Sequence, residues 1–311
     1  MTRVLLTGAT GFVGAHVARA LLRRGCEVFT LIRAGSNLQR IADILPQLQV
    51  VSADLAALTE TDEYLEQIQP EVCIHLAWFT AAGQHFHSQD NLVLLTQSVR
   101  LAQRLVAVGC KRLVAAGTYA EYDLSVGYLS ETAPTRPANL YAASKLALYH
   151  VLNQLALVAD FEFAWLRLFN HYGPWESEGR IVSSVMSALH KGETACVSPG
   201  EQMRDFLHVE DSAEAISAVA LGNVQGIVNV GSGKPSALRD VVMMIGDAFG
   251  RPDLIVVGAL PYRPDEQMFV CSNNSKLRET TSWRPGYDLK TGLLQTAEWW
   301  KATSARNQVH A

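Results

Sequence analysis

Short apolar or β-branched runs alternate along the chain with longer segments whose apolar residues recur at helical spacing. This alternation predicts parallel strands joined by crossover helices, because parallel neighbours need a connection that returns to the same edge of the sheet. The predicted strands cover residues 3–7, 27–32, 49–52, 72–76, 112–117 and 162–168, and the predicted helices cover residues 14–25, 92–108 and 141–159.

The alternation of strand-like and helix-like segments ends after Leu168, where a turn-rich segment begins. A further helix at residues 213–221 and a strand at 227–230 are expected to return to the first sheet. The pattern predicts an α/β, Rossmann-type doubly wound parallel sheet with a smaller C-terminal lobe. We expect a first domain over residues 1–168, rejoined by about 206–231, and a smaller lobe formed mainly by residues 169–311.

Composition narrows the class of protein. Of 311 residues, 49% are hydrophobic and 18% are charged, which suffices for a sizeable core. The net charge of -4, without a long run of like charges, argues against a nucleic-acid or membrane-binding face. The five cysteines form no Cys-x-x-Cys pair, so we expect neither zinc nor disulfides. The first apolar run is too short for a signal peptide, and we expect a cytoplasmic protein.

Three glycines separate the first predicted strand from the first helix, with the spacing Gly-x-x-Gly-x-x-Gly. In such a turn the glycines permit a tight bend, a close backbone approach to a pyrophosphate, and close packing of helix on strand. Three glycines in an ordinary loop are the alternative, but the position directly after an N-terminal strand favours a dinucleotide site. The residues expected to contact the cofactor here are Gly8, Thr10, Gly11, Phe12, Val13 and Gly14.

Cofactor preference is expected to depend on the end of the second strand. Dinucleotide folds that prefer NAD carry an acidic residue there, which binds the ribose hydroxyls. In this chain Ile32 fills the position and Arg33 follows it. Since an arginine pairs with a 2′-phosphate, we expect NADP(H), with NAD(H) as the alternative. A solvated strand end is the other interpretation of Arg33.

Tyr141 and Lys145 stand four residues apart, on one face of a predicted helix. A nearby ammonium group lowers the pKa of a tyrosine by roughly 1–3 units, which makes the phenol a usable acid or base near neutral pH. The lysine can also hydrogen-bond the nicotinamide ribose. The pattern is common by chance on helices, and its significance here comes from its position after the fifth strand.

These motifs resemble those of the extended short-chain dehydrogenase/reductases, and the resemblance covers the chain. The second lobe resembles that of nucleotide-sugar epimerases, dehydratases and reductases of the NAD-dependent epimerase/dehydratase family. The matching segments are residues 167–174 (Arg-x-x-Asn-x-Tyr-Gly-Pro), 204–211 (Arg-Asp-Phe-x-His-Val-x-Asp), 263–265 (Arg-Pro-Asp, against Arg-Pro-x-Asp) and 283–285 (Trp-x-Pro).

The resemblance assigns roles to further residues around the cofactor. Thr118 takes the place of the family's catalytic serine or threonine, although capping of its own backbone is an alternative. Asp54 is expected to contact the adenine, or else to be an exposed loop residue. The resulting catalytic set is Thr118, Tyr141 and Lys145, and further cofactor contacts are expected from Asp54, Leu55, Leu76 and Ala77.

Four other polar residues have a structural alternative that we favour. His75 is expected to be a packed strand residue rather than a catalytic base. Asn91 matches a recurrent family asparagine, but helix N-capping is preferred slightly. His85 and His87 lie in a loop that borders the substrate in the family, and a solvated position is favoured for both.

The resemblance implies a nucleotide-diphosphate sugar as substrate, and guanidinium groups match phosphate oxygens bidentately. An ion pair of Arg204 with Asp205 or Asp211 is the structural alternative. Asp211 itself is expected to cap a helix at residues 212–221. By motif match, the substrate-binding residues are Asn170, Arg204, Arg263 and Asp265.

The residues after Thr118 bear on the reaction. The family's 4,6-dehydratases carry an acidic residue within two positions, whereas this chain has Tyr119 and Ala120, and Glu121 follows one position too late. We therefore expect no dehydratase. An NADPH-dependent 4-ketoreductase of deoxysugar biosynthesis is favoured, and an NAD-holding 4-epimerase is the alternative. A non-catalytic NADP sensor is disfavoured because the catalytic residues are kept. The resemblance also implies a homodimer formed by helices 92–108 and 141–159.

Overall fold

The computed structural model describes residues 1–55 and 58–309, without the side chains of residues 58–62 and 303–309. The strands are β1 (Arg3–Thr7), β2 (Glu27–Ile32), β3 (Gln49–Ser52), β4 (Val72–His75), β5 (Arg112–Thr118), β6 (Tyr128–Leu129), β7 (Glu162–Leu168), β8 (Asn170–Tyr172), β9 (Ala195–Val197), β10 (Met203–His208), β11 (Gly226–Val230), β12 (Pro235–Ala237), β13 (Ile255–Val257) and β14 (Phe269–Ser272). The helices are α1 (Phe12–Arg23), α2 (Leu58–Ile68), α3 (Asp90–Ala107), α4 (Leu140–Ala159), α5 (Ile181–Lys191), α6 (Val209–Leu221), α7 (Leu238–Phe249), α8 (Ser275–Thr280) and α9 (Leu289–Val309).

The main sheet has seven strands in the order β11-β7-β5-β4-β1-β2-β3. All its neighbours pair in parallel, so the carboxyl ends of the strands share one edge. The chain order reverses at β1, which lies between β4 and β2. In open sheets of this kind, ligands bind in the crevice outside the carboxyl ends at such a reversal. The expected Rossmann-type sheet is therefore confirmed.

Successive side chains of a strand point to opposite faces of a sheet, and β1 supplies both cores. Val4 and Leu6 pack with residues of α1 and α6 on one face. Leu5 packs on the other face with residues of α3 and α4, among them Leu105 and Leu152. Buried on both faces, the central strands are continuously apolar, which explains why their bounds are visible in the sequence.

The smaller lobe contains a second sheet in the order β12-β10-β14-β6, with β8 beside β10, and the pair β13-β9. Helices α5, α7 and α9 pack around a separate core that includes Met186, Ile245 and Leu293. Within the second half of the chain, helix α6 packs on α1 against the main sheet, and β11 joins that sheet beside β7. This places β8 and β10 beside the carboxyl edge of that sheet.

Asp211 does not cap a helix, contrary to the expectation from the sequence. Helix α6 begins at Val209, with His208 as its N-cap residue. The Asp211 carboxylate instead accepts hydrogen bonds from the backbone N–H groups of Gly286 at 2.7 Å and Tyr287 at 3.1 Å. Asp211 therefore fastens the C-terminal segment to the first domain. Among the described residues no helix is long and apolar enough to cross a membrane.

Candidate active site

The turn between β1 and α1 has the geometry of an anion site. Gly8 has φ of +78°, and a Cβ there would lie 2.8 Å from the backbone nitrogen of Ala77. A Cβ on Gly14 would collide with the carbonyl oxygen of Gly8. Helix α1 starts after Gly11 without a side-chain cap, which leaves its first N–H groups available to a phosphate. The glycines thus pack the turn closely against Ala77 and α1, and the uncapped start of α1 fits the pyrophosphate of a dinucleotide.

The ends of β2 and β3 frame the expected ribose and adenine positions. Ile32 is buried, and Arg33 directly after it is exposed. Asp54 is exposed after β3, and Leu55 beside it is buried. The end of β2 thus has a buried isoleucine where NAD-preferring folds carry a carboxylate, and an exposed guanidinium group directly after it.

His75 is a packed strand residue, as expected. Its Nδ1 lies 2.7 Å from Thr7 Oγ1 and its Nε2 lies 2.8 Å from Ser98 Oγ. Burial lowers the pKa of His75 to about 3. The Thr7 hydroxyl also accepts a hydrogen bond from Ala77 N–H at 3.2 Å, which fixes the segment expected to line the cofactor.

The three residues of the expected catalytic set meet at the carboxyl end of β5. Thr118 is the last residue of the strand, and Tyr141 and Lys145 lie in the first turns of α4. The Thr118 side chain lies beside the Tyr141 hydroxyl, close enough to lower the pKa of the phenol by hydrogen bonding. Thr118 Oγ1 also accepts from Ala120 N–H at 3.2 Å, so the contact with tyrosine and the capping of its own backbone coexist.

The lowered tyrosine pKa expected from the spacing is not found. Burial raises the pKa of Tyr141 to about 12, against the smaller lowering effect of its bond with Thr118. The reason is the direction of the lysine: Lys145 Nζ donates to the carbonyl oxygen of Ala116 at 2.7 Å. In the ligand-free protein, Tyr141 is therefore a proton donor and not a phenolate near neutral pH.

Lys145 has a partner that the sequence interpretation missed. Its Nζ lies 3.7 Å from the centroid of the Trp78 ring, a cation–π contact. Trp78 Nε1 donates to Asn91 Oδ1 at 2.8 Å. The only sequence signal for this contact is a tryptophan three residues after the strand residue His75. That signal does not predict the contact, because Trp78 meets Lys145 only when α4 packs on this loop.

Asn91 is not an N-cap, so this expectation is wrong. It lies inside α3, fully buried, and its Nδ2 donates to the carbonyl oxygens of His85 and Ser88, both at 2.7 Å. Together with the bond to Trp78, one amide fixes both ends of the loop between β4 and α3. Asn91 thereby holds the indole that covers Lys145.

His85 is buried, which contradicts the solvated position favoured from the sequence, whereas His87 is exposed. The His85 ring packs edge-on against the Tyr141 ring with centroids 4.9 Å apart, and its Nδ1 lies 2.9 Å from the carbonyl oxygen of Ala81. The backbone N–H of Tyr141 donates to the carbonyl oxygen of Phe86 at 3.2 Å. The same loop therefore contacts both Tyr141 and Lys145.

The second lobe brings Asn170 and Arg204 toward this edge. Asn170 Nδ2 donates to the carbonyl oxygen of Asp205 at 3.0 Å, and the Tyr119 hydroxyl lies 3.5 Å from Asn170 Oδ1. Arg204 pairs with Glu266 at 2.5 Å, so the expected alternative partners Asp205 and Asp211 are wrong.

Two expected substrate residues are on the surface. Arg263 and Asp265 are both exposed, whereas Glu266, the next residue, is half-buried against Arg204. In the Arg-Pro-x-Asp pattern the acid stands three residues after the arginine, which is the position of Glu266 here. The acid that the structure brings to Arg204 is thus Glu266.

Arg180 is a cation at the site that the sequence did not single out. It precedes α5, and its guanidinium donates to the carbonyl oxygen of Thr80 at 3.3 Å. Its charge lowers the pKa of Tyr141 slightly and opposes the burial that raises the pKa of Glu176 to about 8. Arg180 therefore adds positive charge to the crevice.

Among the described residues no cluster of His, Cys, Asp and Glu is suited to a metal ion.

Comparison with known proteins agrees with this geometry. Residues 4–231 match the model of the NAD dependent epimerase/dehydratase family, and the chain belongs to that family. A UDP-glucose 4-epimerase from Mycolicibacterium smegmatis is 28% identical, over 97% of this chain and 99% of its own. A dTDP-6-deoxy-L-talose 4-dehydrogenase (NAD(+)) from Aggregatibacter actinomycetemcomitans is 26% identical, over 77% and 87%.

A solved structure gives the same result. UDP-glucose 4-epimerase from Thermus thermophilus, in complex with NAD, superposes with a TM-score of 0.84 at 26% identity. The superposition covers 96% of this chain and 99% of the other. The protein is thus an enzyme of a family whose characterised members act on nucleotide-diphosphate sugars with NAD.

We predict that Asn91→Ala lowers the free energy of unfolding by about 1–3 kcal/mol for each buried group left unpaired. The change removes the amide that fixes Trp78 and His85. Urea denaturation followed by tryptophan fluorescence measures the loss.

Thr96→Ala, in the same helix, is the matched control because its exposed hydroxyl bonds only the carbonyl oxygen of Leu92. It is expected to change stability by less than about 0.5 kcal/mol. Equal effects of the two substitutions would show that the loop does not depend on Asn91.

Proposed function

We propose that this protein is an NADPH-dependent 4-ketoreductase of a nucleoside-diphosphate 4-keto-6-deoxy sugar. The observation that carries the proposal is that Thr118 and Tyr141 lie together at the carboxyl end of β5, where burial keeps Tyr141 protonated by raising its pKa to about 12. A protonated phenol donates to a carbonyl oxygen as hydride reaches the carbon, so the pair is suited to reduction.

The chemistry divides simply among the residues. The nicotinamide cofactor, when bound, supplies the hydride. Thr118 orients the keto oxygen by hydrogen bonding, and Tyr141 gives that oxygen its proton, so the carbonyl becomes a hydroxyl. Lys145, already fixed by Ala116, binds the nicotinamide ribose.

Elimination of water is not supported by this site. The two residues after Thr118 are Tyr119 and Ala120, which supply no carboxylate for proton transfer at a neighbouring carbon. Glu121 is buried and accepts hydrogen bonds from Trp165 and Arg167, so it is committed inside the protein. This arrangement favours a reductase or an epimerase over a dehydratase.

The end of β2 supports the choice of a reductase with NADPH. A reductase must release oxidised cofactor and take up reduced cofactor, whereas an epimerase regenerates its cofactor in each cycle and gains from tight binding. Ile32 and the exposed Arg33 provide no acidic clamp for the ribose. The dTDP-6-deoxy-L-talose 4-dehydrogenase among the relatives also acts at carbon 4, although its name specifies NAD(+).

The substrate's diphosphate is assigned to a group of cations at the crevice. Arg204 is held in place by Glu266, and Arg180 projects its charge onto Tyr141. Arg263 is exposed and able to close on a ligand, with Asp265 proposed for the nucleotide ribose. Asn170, beside Tyr119, is proposed to contact the diphosphate or the sugar.

A homodimer belongs to the same proposal. Helices α3 and α4 pack against each other and carry exposed apolar side chains. These are Leu92, Val93, Val151, Leu157 and Val158. A second copy that covers this face would remove it from water.

The five cysteines are unpaired, in keeping with a reducing compartment, for which we propose the cytoplasm.

The second candidate is a nucleoside-diphosphate-sugar 4-epimerase with tightly held NAD. Its support is the set of relatives and structures that are 4-epimerases, one of them with NAD bound. A non-catalytic sensor is disfavoured because Thr118, Tyr141 and Lys145 are all present and in contact with the same strand end.

We predict that the purified protein oxidises NADPH stoichiometrically when a dTDP- or UDP-4-keto-6-deoxy sugar is added. Cofactor absorbance and product chromatography measure the reaction. Oxidation should be faster with NADPH than with NADH. Interconversion of two sugar nucleotides without net cofactor change, or bound NAD after purification, would instead establish the epimerase.

We predict that Arg33→Asp shifts the ratio of the dissociation constants for NADPH and NADH toward NADH by about tenfold or more, because a charged hydrogen bond contributes about 1.5–3 kcal/mol. Fluorescence titration measures both constants. Arg136→Asp, at another exposed arginine, is the control and should leave the ratio unchanged. An unchanged ratio in Arg33→Asp would place the 2′-phosphate elsewhere.

A further inference from the structure

A carboxylate is buried directly behind the catalytic residues. The Glu121 side chain is fully buried, and three donors converge on it. These are the backbone N–H of Thr118 at 2.7 Å, Trp165 Nε1 at 3.0 Å and Arg167 Nε at 2.7 Å. Its hydrogen-bonding capacity is used within the protein, so it is not a group that awaits substrate.

The backbone of β5 is shaped around this carboxylate. A Cβ on Gly117 would lie 2.5 Å from Glu121 Oε1 and would also collide with Trp165 Nε1. The Tyr119–Glu121 turn folds the glutamate back under the strand, as the reciprocal bonds between Thr118 and the turn require. Glu121, which follows Thr118 one position too late to act as the acid of a dehydratase, is thus turned toward the protein interior.

A buried ion pair is a poor means of stabilising a fold. The Arg167 side chain is 1% exposed, and its Nη1 has no hydrogen-bond partner. Desolvation of two charges often exceeds their attraction, and well-packed apolar residues serve stability as well or better. The pair with Glu121 therefore calls for an explanation other than stability.

The catalytic groups share the strand end that Glu121 holds. Ala116 accepts the hydrogen bond of Lys145 Nζ, and Thr118 bonds Tyr141. Because Glu121 fixes the N–H of Thr118, it fixes the position of both acceptors. The negative charge of Glu121 also raises the pKa of Lys145. None of the ion pairs among the described residues includes Lys145.

We propose that Glu121 is a positioning residue, whose carboxylate, oriented by Arg167 and Trp165, fixes the end of β5 at which Tyr141 and the ammonium group of Lys145 are held. The use of that ammonium in cofactor binding rests on the proposed function. The effect on Lys145 itself does not, and can be measured in the ligand-free protein.

The sign of the effect follows from the charges around Lys145. Burial lowers the pKa of Lys145 to about 7, and Glu121 raises it. His75 is neutral, because burial lowers its pKa to about 3, and Tyr141 is neutral below about 12. Without the charge of Glu121, the pKa of Lys145 falls further, and more of the side chain is a neutral amine at pH 7.

The test is an NMR titration of lysine side chains labelled with ¹³C at Cε. The chain has seven lysines, and Lys145→Arg identifies the resonance of interest. We expect the midpoint of Lys145 near pH 7 in the natural protein and at lower pH in Glu121→Gln. Glu162→Gln is the matched control, because Glu162 pairs with Arg112 at the opposite end of the same two strands. It should leave the midpoint unchanged.

An unchanged Lys145 midpoint in folded Glu121→Gln would overturn the proposal. If that variant does not fold, Glu121→Asp keeps the carboxylate but shortens the side chain by one methylene, which withdraws it from Thr118 and Lys145, and the midpoint should fall by a smaller amount. An unchanged midpoint there is equally contradictory.

A second readout joins this effect to cofactor binding. The dissociation constant of NADPH should rise with pH as Lys145 loses its proton, and this rise should occur at lower pH in Glu121→Gln. A shifted lysine midpoint together with no binding of NADPH or NADH would support the role of Glu121 and contradict the proposed function. An unchanged lysine midpoint therefore contradicts the role of Glu121, whereas a lack of cofactor binding contradicts the proposed function.

Discussion

The candidate active site depends on how the carboxyl end of β5 is held. Three consecutive residues there, Ala116 to Thr118, supply the acceptor for Lys145, the space for a buried carboxylate, and the hydroxyl that bonds Tyr141. Parallel pairing with β4 and β7 fixes the strand on both sides. A rigid strand end of this kind positions side chains more accurately than a loop does.

Burial then sets the protonation states around that strand end. Removal from water disfavours the charged form of any group, so the pKa of Lys145 falls to about 7 while that of Tyr141 rises to about 12. The loop between β4 and α3 contributes to this burial through Trp78 and His85. The result is a protonated phenol beside a lysine that titrates near neutral pH, which is suited to giving a proton to a carbonyl oxygen.

The sequence predicts the sheet well because its central strands are buried on both faces and flanked by glycine-rich turns. The bounds of β1, β2, β3 and β7 agree with the prediction. The sequence does not predict the starts of two helices: α1 begins earlier than expected because Gly11 provides no side-chain cap, and α6 begins earlier because His208, and not Asp211, is its N-cap. It also does not predict α2, whose described sequence is acidic and mostly polar.

Spacing predicts that Tyr141 and Lys145 form a pair, because the i and i+4 positions of a helix share a face whatever the fold, whereas Thr118 is predicted by the family resemblance. It did not identify their long-range contacts. His85 and Arg180 acquire their significance from elements distant in sequence, and Glu121 acquires its own from Arg167, which lies on β7. Tertiary packing determines such contacts, and no local pattern encodes them.

The central claim is that Tyr141 gives the proton to a substrate oxygen bound beside Thr118. Its most direct test is the single-turnover rate of NADPH oxidation with a 4-keto-6-deoxy sugar nucleotide in Tyr141→Phe, compared with Tyr149→Phe, which alters another tyrosine of α4. We predict a loss of about 10²–10⁴-fold in Tyr141→Phe with little change in the dissociation constant of NADPH, and a rate near that of the natural protein in Tyr149→Phe. A folded Tyr141→Phe variant that keeps the natural rate would contradict the claim.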